Sequence, residues 1–246
     1  MDLLISAATH RSGSTLVQRI FNRRKETLIW GEQYGILTQF QRMHQLLKEY
    51  STNHRQQREN YFRDGENPNH WIACMVPELD YVDHAVEESV KTLFATLYAQ
   101  HKEGHDIIGF KEVRYGKEEL TLFRICYPET PILLLVRNPL DVWKSMLGAG
   151  LGNNVVPFAK KWQTNASYYL DLAKQDPAVY LVRYEDIVLK QPDATLTIAK
   201  LGKLSEEEID SVIAKKIWST PRTPTTADEH AIIQTCGSTM KAYGYM

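Results

Sequence analysis

The strongest constraint on this chain is the distribution of its apolar residues. Short apolar runs at 3–8, 28–31, 106–111, 132–136 and 178–183 recur, with longer stretches of helical spacing between them. The run Ile132-Leu133-Leu134-Leu135-Val136 has no polar alternation, so a strand made from it is apolar on both faces. Strands joined by helix-length crossovers pair in parallel, and parallel sheets are covered by helices on both sides. The fold class that follows is α/β, a single domain over 1–246 with a central parallel sheet flanked by helices.

Between the strands, periodicity predicts a helix at 14–22, with Leu16, Val17, Ile20 and Phe21 on one side, and another over about 33–48. Asp83 reads as the N-cap of a helix running to about 101, with Val86, Val90, Leu93, Phe94 and Leu97 at helical spacing. Helical patterns also cover 117–126, 205–217 and 228–243. Residues 53–77 are polar, broken by Gly65 and Pro68, and read as an excursion over a binding face or as a plain surface loop.

Composition narrows the function classes. A chain of 246 residues suits one α/β domain. Lys and Arg total 29 against 30 Asp and Glu, a net charge of −1, so the basic excess of a general nucleic-acid binder is missing while one anion site stays possible. Cys74, Cys126 and Cys236 are far apart and unclustered, which predicts neither a disulfide framework nor a zinc site. The start of the chain has no basic leader region, and no apolar run is long enough to span a bilayer. The expectation is a cytoplasmic protein with reduced thiols, no metal, no membrane and no nucleic acid.

In such a sheet ligands bind beyond the carboxyl ends of the strands, so function is expected just after residues 8, 31, 111, 136 and 183. The first run is followed by Thr9-His10-Arg11-Ser12-Gly13-Ser14-Thr15-Leu16, opening straight into a helix. Small residues let this backbone wrap tightly, and the first amides of the helix face whatever fills the loop. Arg11 adds charge, and Ser12, Ser14 and Thr15 add hydroxyl donors. Phosphate is the natural guest, the alternative being an empty strand–turn–helix corner. The loop is no Walker A sequence, because Gly13-Ser14-Thr15 lacks the lysine that serves β- and γ-phosphates.

A second element begins where the 132–136 run ends on Arg137. Pro139 opens a helix, and Ser145 lies about two turns along it. Arg137 and Ser145 converge on a second phosphate, or Arg137 is a surface salt bridge.

With both motifs quoted, the chain resembles the sulfotransferases that use 3′-phosphoadenosine-5′-phosphosulfate (PAPS). Arg11-Ser12-Gly13-Ser14-Thr15 is similar to that family's 5′-phosphosulfate loop, and Arg137 through Ser145 to its 3′-phosphate motif. Tyr184-Glu185-Asp186 resembles the family's third landmark, and the helix closing on Tyr243-Gly244-Tyr245 agrees with it. The resemblance covers nearly the whole chain. It implies the P-loop nucleotide-kinase-like sulfotransferase fold, PAPS as donor, adenosine-3′,5′-bisphosphate (PAP) as product, and transfer without a metal. The absent lysine agrees, since PAPS has no γ-phosphate.

The same resemblance implies residue roles. Arg11, the helix start after Gly13, and Lys111 supply positive charge at the leaving phosphate, although Lys111 also reads as a snorkelling surface lysine. The cytosolic aryl branch places a histidine base two residues after such a lysine, where this chain has Val113. The layout is closer to tyrosylprotein sulfotransferases, in which a Gly-Glu after the second strand supplies the base, here Gly31-Glu32. Glu32 is the expected general base, desolvated by Trp30 and Tyr34, or else a carboxylate at a helix N-terminus. His10, His84 and His105 are reserve bases. Tyr184 contacts the nucleotide, and Arg222, in Ser219-Thr220-Pro221-Arg222-Thr223-Pro224, clamps the 3′-phosphate or lies in a solvated turn. Glu112 and Arg114 pair with each other or orient the loop.

The expected acceptor is a small molecule, such as a natural product undergoing O- or N-sulfation. Glu78, Asp80, Asp83, Glu87 and Glu88 either attract a cationic acceptor or form a solvated face. Two competing readings are a P-loop small-molecule kinase and a PAP-binding module without catalysis, for which Glu32 and Lys111 are dispensable. The pattern leaves the oligomeric state open.

Overall fold

In chain order the elements are β1 (Leu3–Ala7), α1 (Ser14–Phe21), β2 (Thr27–Trp30), α2 (Ile36–Asn53), α3 (Arg55–Arg63), α4 (Leu79–Leu97), β3 (Ile107–Glu112) and α5 (Lys117–Cys126). They continue with β4 (Ile132–Val136), α6 (Pro139–Gly148), α7 (Val155–Gln175), β5 (Val179–Arg183), α8 (Tyr184–Val188), α9 (Pro192–Gly202), α10 (Glu206–Ile213) and α11 (Thr226–Ala242). This computed structural model describes residues 1–215 and 222–246. The predicted helix end at 216–217, and Ser219, Thr220 and Pro221 of the proline-rich loop, lie outside the described residues.

The described strands form one parallel sheet in the order β2-β3-β1-β4-β5. Ile5 lies opposite Lys111 on one side and Leu133 on the other. Central strands β1, β3 and β4 are buried along their whole length, while the edge strands β2 and β5 are only partly covered. This is why the central runs lack polar alternation. On one face Leu3, Ile5 and Ala7, spaced by two, join Val17, Ile20 and Phe21 of α1 and Ile198 of α9 in a single core. The chain leaves β1 toward β3 and β2, and leaves β4 toward β5 on the opposite side. Such a reversal opens a crevice at the carboxyl ends of β1 and β4, the ends that carry Arg11 and Arg137.

Two compact units make up the chain: 1–35, 100–117 and 129–246 form the first, which holds the sheet, and 36–99 with 118–128 form the second. The second differs most from expectation. Its 53–77 segment is not a plain loop, since it contains α3 and a short 3₁₀ turn at Pro68–His70. The polar face of α3 hides it from periodicity. What anchors it is the buried Arg58, whose Nη1 donates to the carbonyls of Ser51 and Val76 at 3.1 and 3.0 Å. Asp83 is not an N-cap: α4 starts a turn earlier, after Glu78, and the Asp83 carboxylate meets His44 Nε2 at 2.5 Å.

The acidic stretch is largely self-paired, Glu78 with Arg58, and Glu87 and Glu88 with Lys91. α2 begins at Ile36 rather than about 33, because Tyr34 and Gly35 both take positive φ (53° and 72°), which a right-handed helix does not admit.

Candidate active site

Where β1 ends, the chain turns through Thr9–Gly13 into α1. Arg11 (φ 64°) and Gly13 (φ 92°) are both in the left-handed region. At Gly13 the reason is also steric, since a β-carbon there would stand 2.1 Å from Cδ2 of Tyr184. Ser12 is fully buried, and its hydroxyl donates to the Thr9 carbonyl at 2.9 Å. It therefore closes the loop on itself and is not part of the cleft lining. His10, Arg11, Gly13, Ser14 and Thr15 do line the cleft, which also takes in Glu32, Val113, Arg137, Ser145 and Tyr184 and measures about 430 Å³.

The two segments expected to bind phosphate meet there. Arg11 Nε donates to Ser145 Oγ at 3.1 Å across 134 residues of sequence. Arg137 Nη1 donates to the Arg11 carbonyl at 3.1 Å, and its guanidinium lies over the Tyr184 ring, 4.4 Å from the centroid. Pro139 at the first turn and the Asn138 side chain, accepting from Leu140 N–H at 3.0 Å, start α6 in the way that carries Ser145 back to Arg11.

Glu32, which lines the cleft, belongs to a charge cluster whose other members, Lys111, Arg114 and Glu112, are not part of the lining. Lys111, buried near the end of β3, donates from Nζ to Glu32 Oε1 at 2.6 Å, and Arg114 Nη1 donates to Glu32 Oε2 at 3.0 Å. Lys111 is thus no snorkelling surface residue. Burial raises the Glu32 carboxyl, but Lys111 and Arg114 outweigh it and hold the group below the usual carboxylate range. Burial is the largest single influence on Glu32, yet Tyr34 adds little to it, being 84% exposed and stacked on Arg114, 5.3 Å from ring centroid to guanidinium.

Glu112 supports the cluster from below. Its fully buried carboxylate accepts N–H bonds from Gly35 at 2.8 Å, Val113 at 2.8 Å and Gln33 at 3.3 Å, and an Arg114 bond at 2.5 Å. It orients the Glu32–Gly35 turn as well as pairing with Arg114. His10, half-buried, has its pKa lowered by burial and by Arg114, so its ring is neutral at pH 7. Among the described residues, no group of three or more His, Cys, Asp or Glu side chains is arranged to hold a metal ion, and no helix is long and apolar enough to cross a membrane.

Residues 7–204 match the sequence model of the sulfotransferase family. The chain belongs to that family. Its fold is similar to the sulfotransferase domain from the Synechococcus PCC 7002 olefin synthase, with a TM-score of 0.58 at 17% identity over 97% of this chain and 94% of that one. It is also similar to the sulfotransferase domain from the curacin biosynthetic pathway, with a TM-score of 0.55 at 14% identity over 100% of this chain and 98% of that one. No curated protein matches the sequence.

Sequence reading missed part of this sulfotransferase's framework. Helix α7 places Trp162 Nε1 on the Arg137 carbonyl at 2.9 Å and buried Asn165 Nδ2 on the Ala8 carbonyl at 2.8 Å. One helix thereby pins the ends of β1 and β4, from which the Arg11 and Arg137 segments start. Its signal was present in the helical spacing of Phe158, Ala159, Trp162, Ala166 and Tyr169, all buried. Arg222 is exposed and outside the cleft lining, although its N–H donates to the Lys144 carbonyl at 3.2 Å, next to Ser145. His84 and His105 are also outside the lining.

Proposed function

We propose that this sulfotransferase uses PAPS as donor and transfers its sulfuryl group to a hydroxyl or amine of a small-molecule acceptor. The observation that carries this reading is the Arg11–Ser145 hydrogen bond, which joins two anion-binding motifs in one cleft. A nucleotide with phosphate at both its 3′ and 5′ positions needs two such motifs side by side. The residues suit it: Arg137 Nε is a buried donor with no hydrogen-bond partner, and Gly13 leaves the loop without a β-carbon. When bound, PAPS supplies the sulfur whose bond to the 5′-phosphate oxygen breaks as a new bond to the acceptor oxygen or nitrogen forms.

Arg11, Ser14, Thr15 and the first amides of α1 hold the 5′ end, with Gly13 allowing close approach and Ser12 keeping the loop closed. Arg137 and Ser145 hold the 3′-phosphate, Tyr184 borders the nucleotide, and Arg222, whose backbone is bonded to Lys144 beside the cleft, clamps the 3′-phosphate. Glu32 is ionised and takes the proton of the acceptor. Lys111 and Arg11 offset charge on the leaving phosphate. Lys111 cannot serve that phosphate and Glu32 fully at once. Arg114 remains bonded to Glu32 through Oε2 and keeps its carboxylate oriented.

Two of the similar domains come from a synthase and a biosynthetic pathway, which supports an acceptor made by small-molecule biosynthesis. In this reading the chain acts as one cytoplasmic sulfotransferase domain with no metal.

Calorimetric titration with PAP tests the donor. PAP binds at micromolar concentration or below, Arg137→Ala abolishes binding, and ATP gives no heat. An acceptor screen with PAPS follows. Failure of PAP to bind, with ATP and Mg²⁺ bound instead, overturns the reading in favour of a kinase.

A further inference from the structure

A polar chain through Glu185 and Tyr245 backs the Arg137–Asn138 turn. Glu185, in the first turn of α8, uses both carboxylate oxygens. Its Oε1 accepts the backbone N–H of Asn138 at 2.9 Å, and Asn138 directly follows Arg137. Its Oε2 accepts the hydroxyl of Tyr245 at 2.9 Å. The Asn138 amide precedes a helix and has no partner within it, so Glu185 satisfies a donor that α6 itself leaves open. Tyr184, one residue before Glu185, carries Arg137 on its ring.

Tyr245 is itself firmly held. Its ring stacks on Tyr243 with centroids 5.9 Å apart, and the Arg183 guanidinium lies 5.8 Å from its centroid. Arg183 donates to the Tyr243 carbonyl at 2.7 Å and grips Asp186 through Nε at 2.7 Å and Nη2 at 2.5 Å. The Tyr243 hydroxyl donates to the Ala166 carbonyl at 2.8 Å, in α7. Burial and the Glu185 carboxylate push the Tyr245 phenol far above its usual range, so it stays a donor at any working pH.

A carboxylate held by one amide can pivot about that bond, whereas a second donor on the other oxygen fixes its plane. We propose that Tyr245 is a positioning residue for nucleotide binding: by fixing Glu185 it holds the Arg137–Asn138 turn in the orientation that receives the 3′-phosphate. The inference rests on Arg137 being the 3′-phosphate ligand. It gives the segment after α11 a functional role although Tyr245 is absent from the cleft lining.

The experiment is PAP calorimetry on the full chain and its Tyr245→Phe, Glu185→Gln and doubly substituted forms, with Arg137→Ala alongside and melting temperatures for each. Tyr245→Phe removes one oxygen and keeps the ring stack, so the protein folds. It weakens PAP by roughly tenfold, the scale of one hydrogen bond to a carboxylate. In the Glu185→Gln background the same change has no further effect, because Tyr245 then has no carboxylate to fix. A merely structural Tyr245 lowers the melting temperature in both backgrounds and leaves PAP affinity alone, which overturns the inference. So does a tenfold loss that persists unchanged in the Glu185→Gln background. If the unsubstituted protein does not bind PAP, the donor reading falls and the inference falls with it. If that protein binds and Arg137→Ala does not, the donor reading stands and the Tyr245 result alone decides.

Discussion

The Tyr184 ring occupies the space in which a β-carbon on residue 13 would stand, 2.1 Å from where that carbon would be built. The first residue of α8 thereby dictates which amino acid the loop after β1 can carry, and its other contact holds the Arg137 guanidinium. Gly13→Ala meets two obstacles, the φ of 92° and the ring. The left-handed backbone alone costs about 1–2 kcal/mol for an L-residue. The expected result is a melting temperature lower by several degrees together with loss of PAP binding. Adding Tyr184→Ala recovers part of the stability but not the binding; full recovery of binding would show that the ring merely crowds the loop.

Arg137 donates from Nη1 to the Arg11 carbonyl, lays its planar face on Tyr184 and keeps Nε as a free donor. Arg137→Lys keeps only the charge, so PAP affinity falls nearly as far as in Arg137→Ala. Calorimetry of the two variants side by side checks this. Recovery of wild-type affinity by lysine would mean that charge alone is recognised.

Glu32 titrates below its usual range in the folded state because Lys111 and Arg114 outweigh its burial. A folded-state pKa below the unfolded value stabilises the fold above the unfolded value, about 4.3, and that contribution disappears as pH falls through the lowered folded value. Glu32→Gln removes this part of the acid sensitivity, visible as a flatter course of urea midpoints below about pH 4.3. The same variant lowers kcat by roughly 10²–10⁴ while PAP still binds, as expected for loss of a general base. Unchanged turnover would transfer the role to His10.

His10 changes stability with pH in the same sense as Glu32, but in a higher pH window. Burial and Arg114, reinforced by Lys111, lower its pKa against the opposing pull of Glu32 and Glu112. Between the lowered folded value and the unfolded value near 6.5, the unfolded chain binds more protons, so stability rises with pH across that window. His10→Asn should flatten this slope. An unaltered slope would assign the window to another histidine.

The thiols divide by burial. Cys74 is exposed, whereas burial pushes Cys126 to about 11 and Cys236 to about 12. A thiol reagent at pH 8 should therefore modify one cysteine in the native protein and three after denaturation. Rapid native modification of all three would contradict the described packing.

The strands were legible because fully buried parallel strands leave unbroken apolar runs, and the observed strands lie within a residue of those runs at each end. That Arg11, Gly13, Arg137 and Ser145 follow strands was legible because each stands a few residues after an apolar run; that they line one cleft needed the sheet order. α3 escaped because its stability comes from a buried arginine bonded to carbonyls distant in sequence, not from an apolar stripe. The start of α2 was misplaced because positive φ at Tyr34 is set by the buried Glu112 carboxylate, far away in the chain.

The α/β class and the strand positions could be read along the chain, since each depends on neighbouring residues. The pairing of Lys111 with Glu32, the Glu112 carboxylate that organises the turn carrying Glu32, the hold of α7 on two strand ends, and the bond of Tyr245 to Glu185 next to the Arg137–Asn138 turn came only from the folded structure. Burial and ion pairing depend on distance in space and on the surrounding dielectric, and neither is encoded in the spacing of residues along one strand or helix.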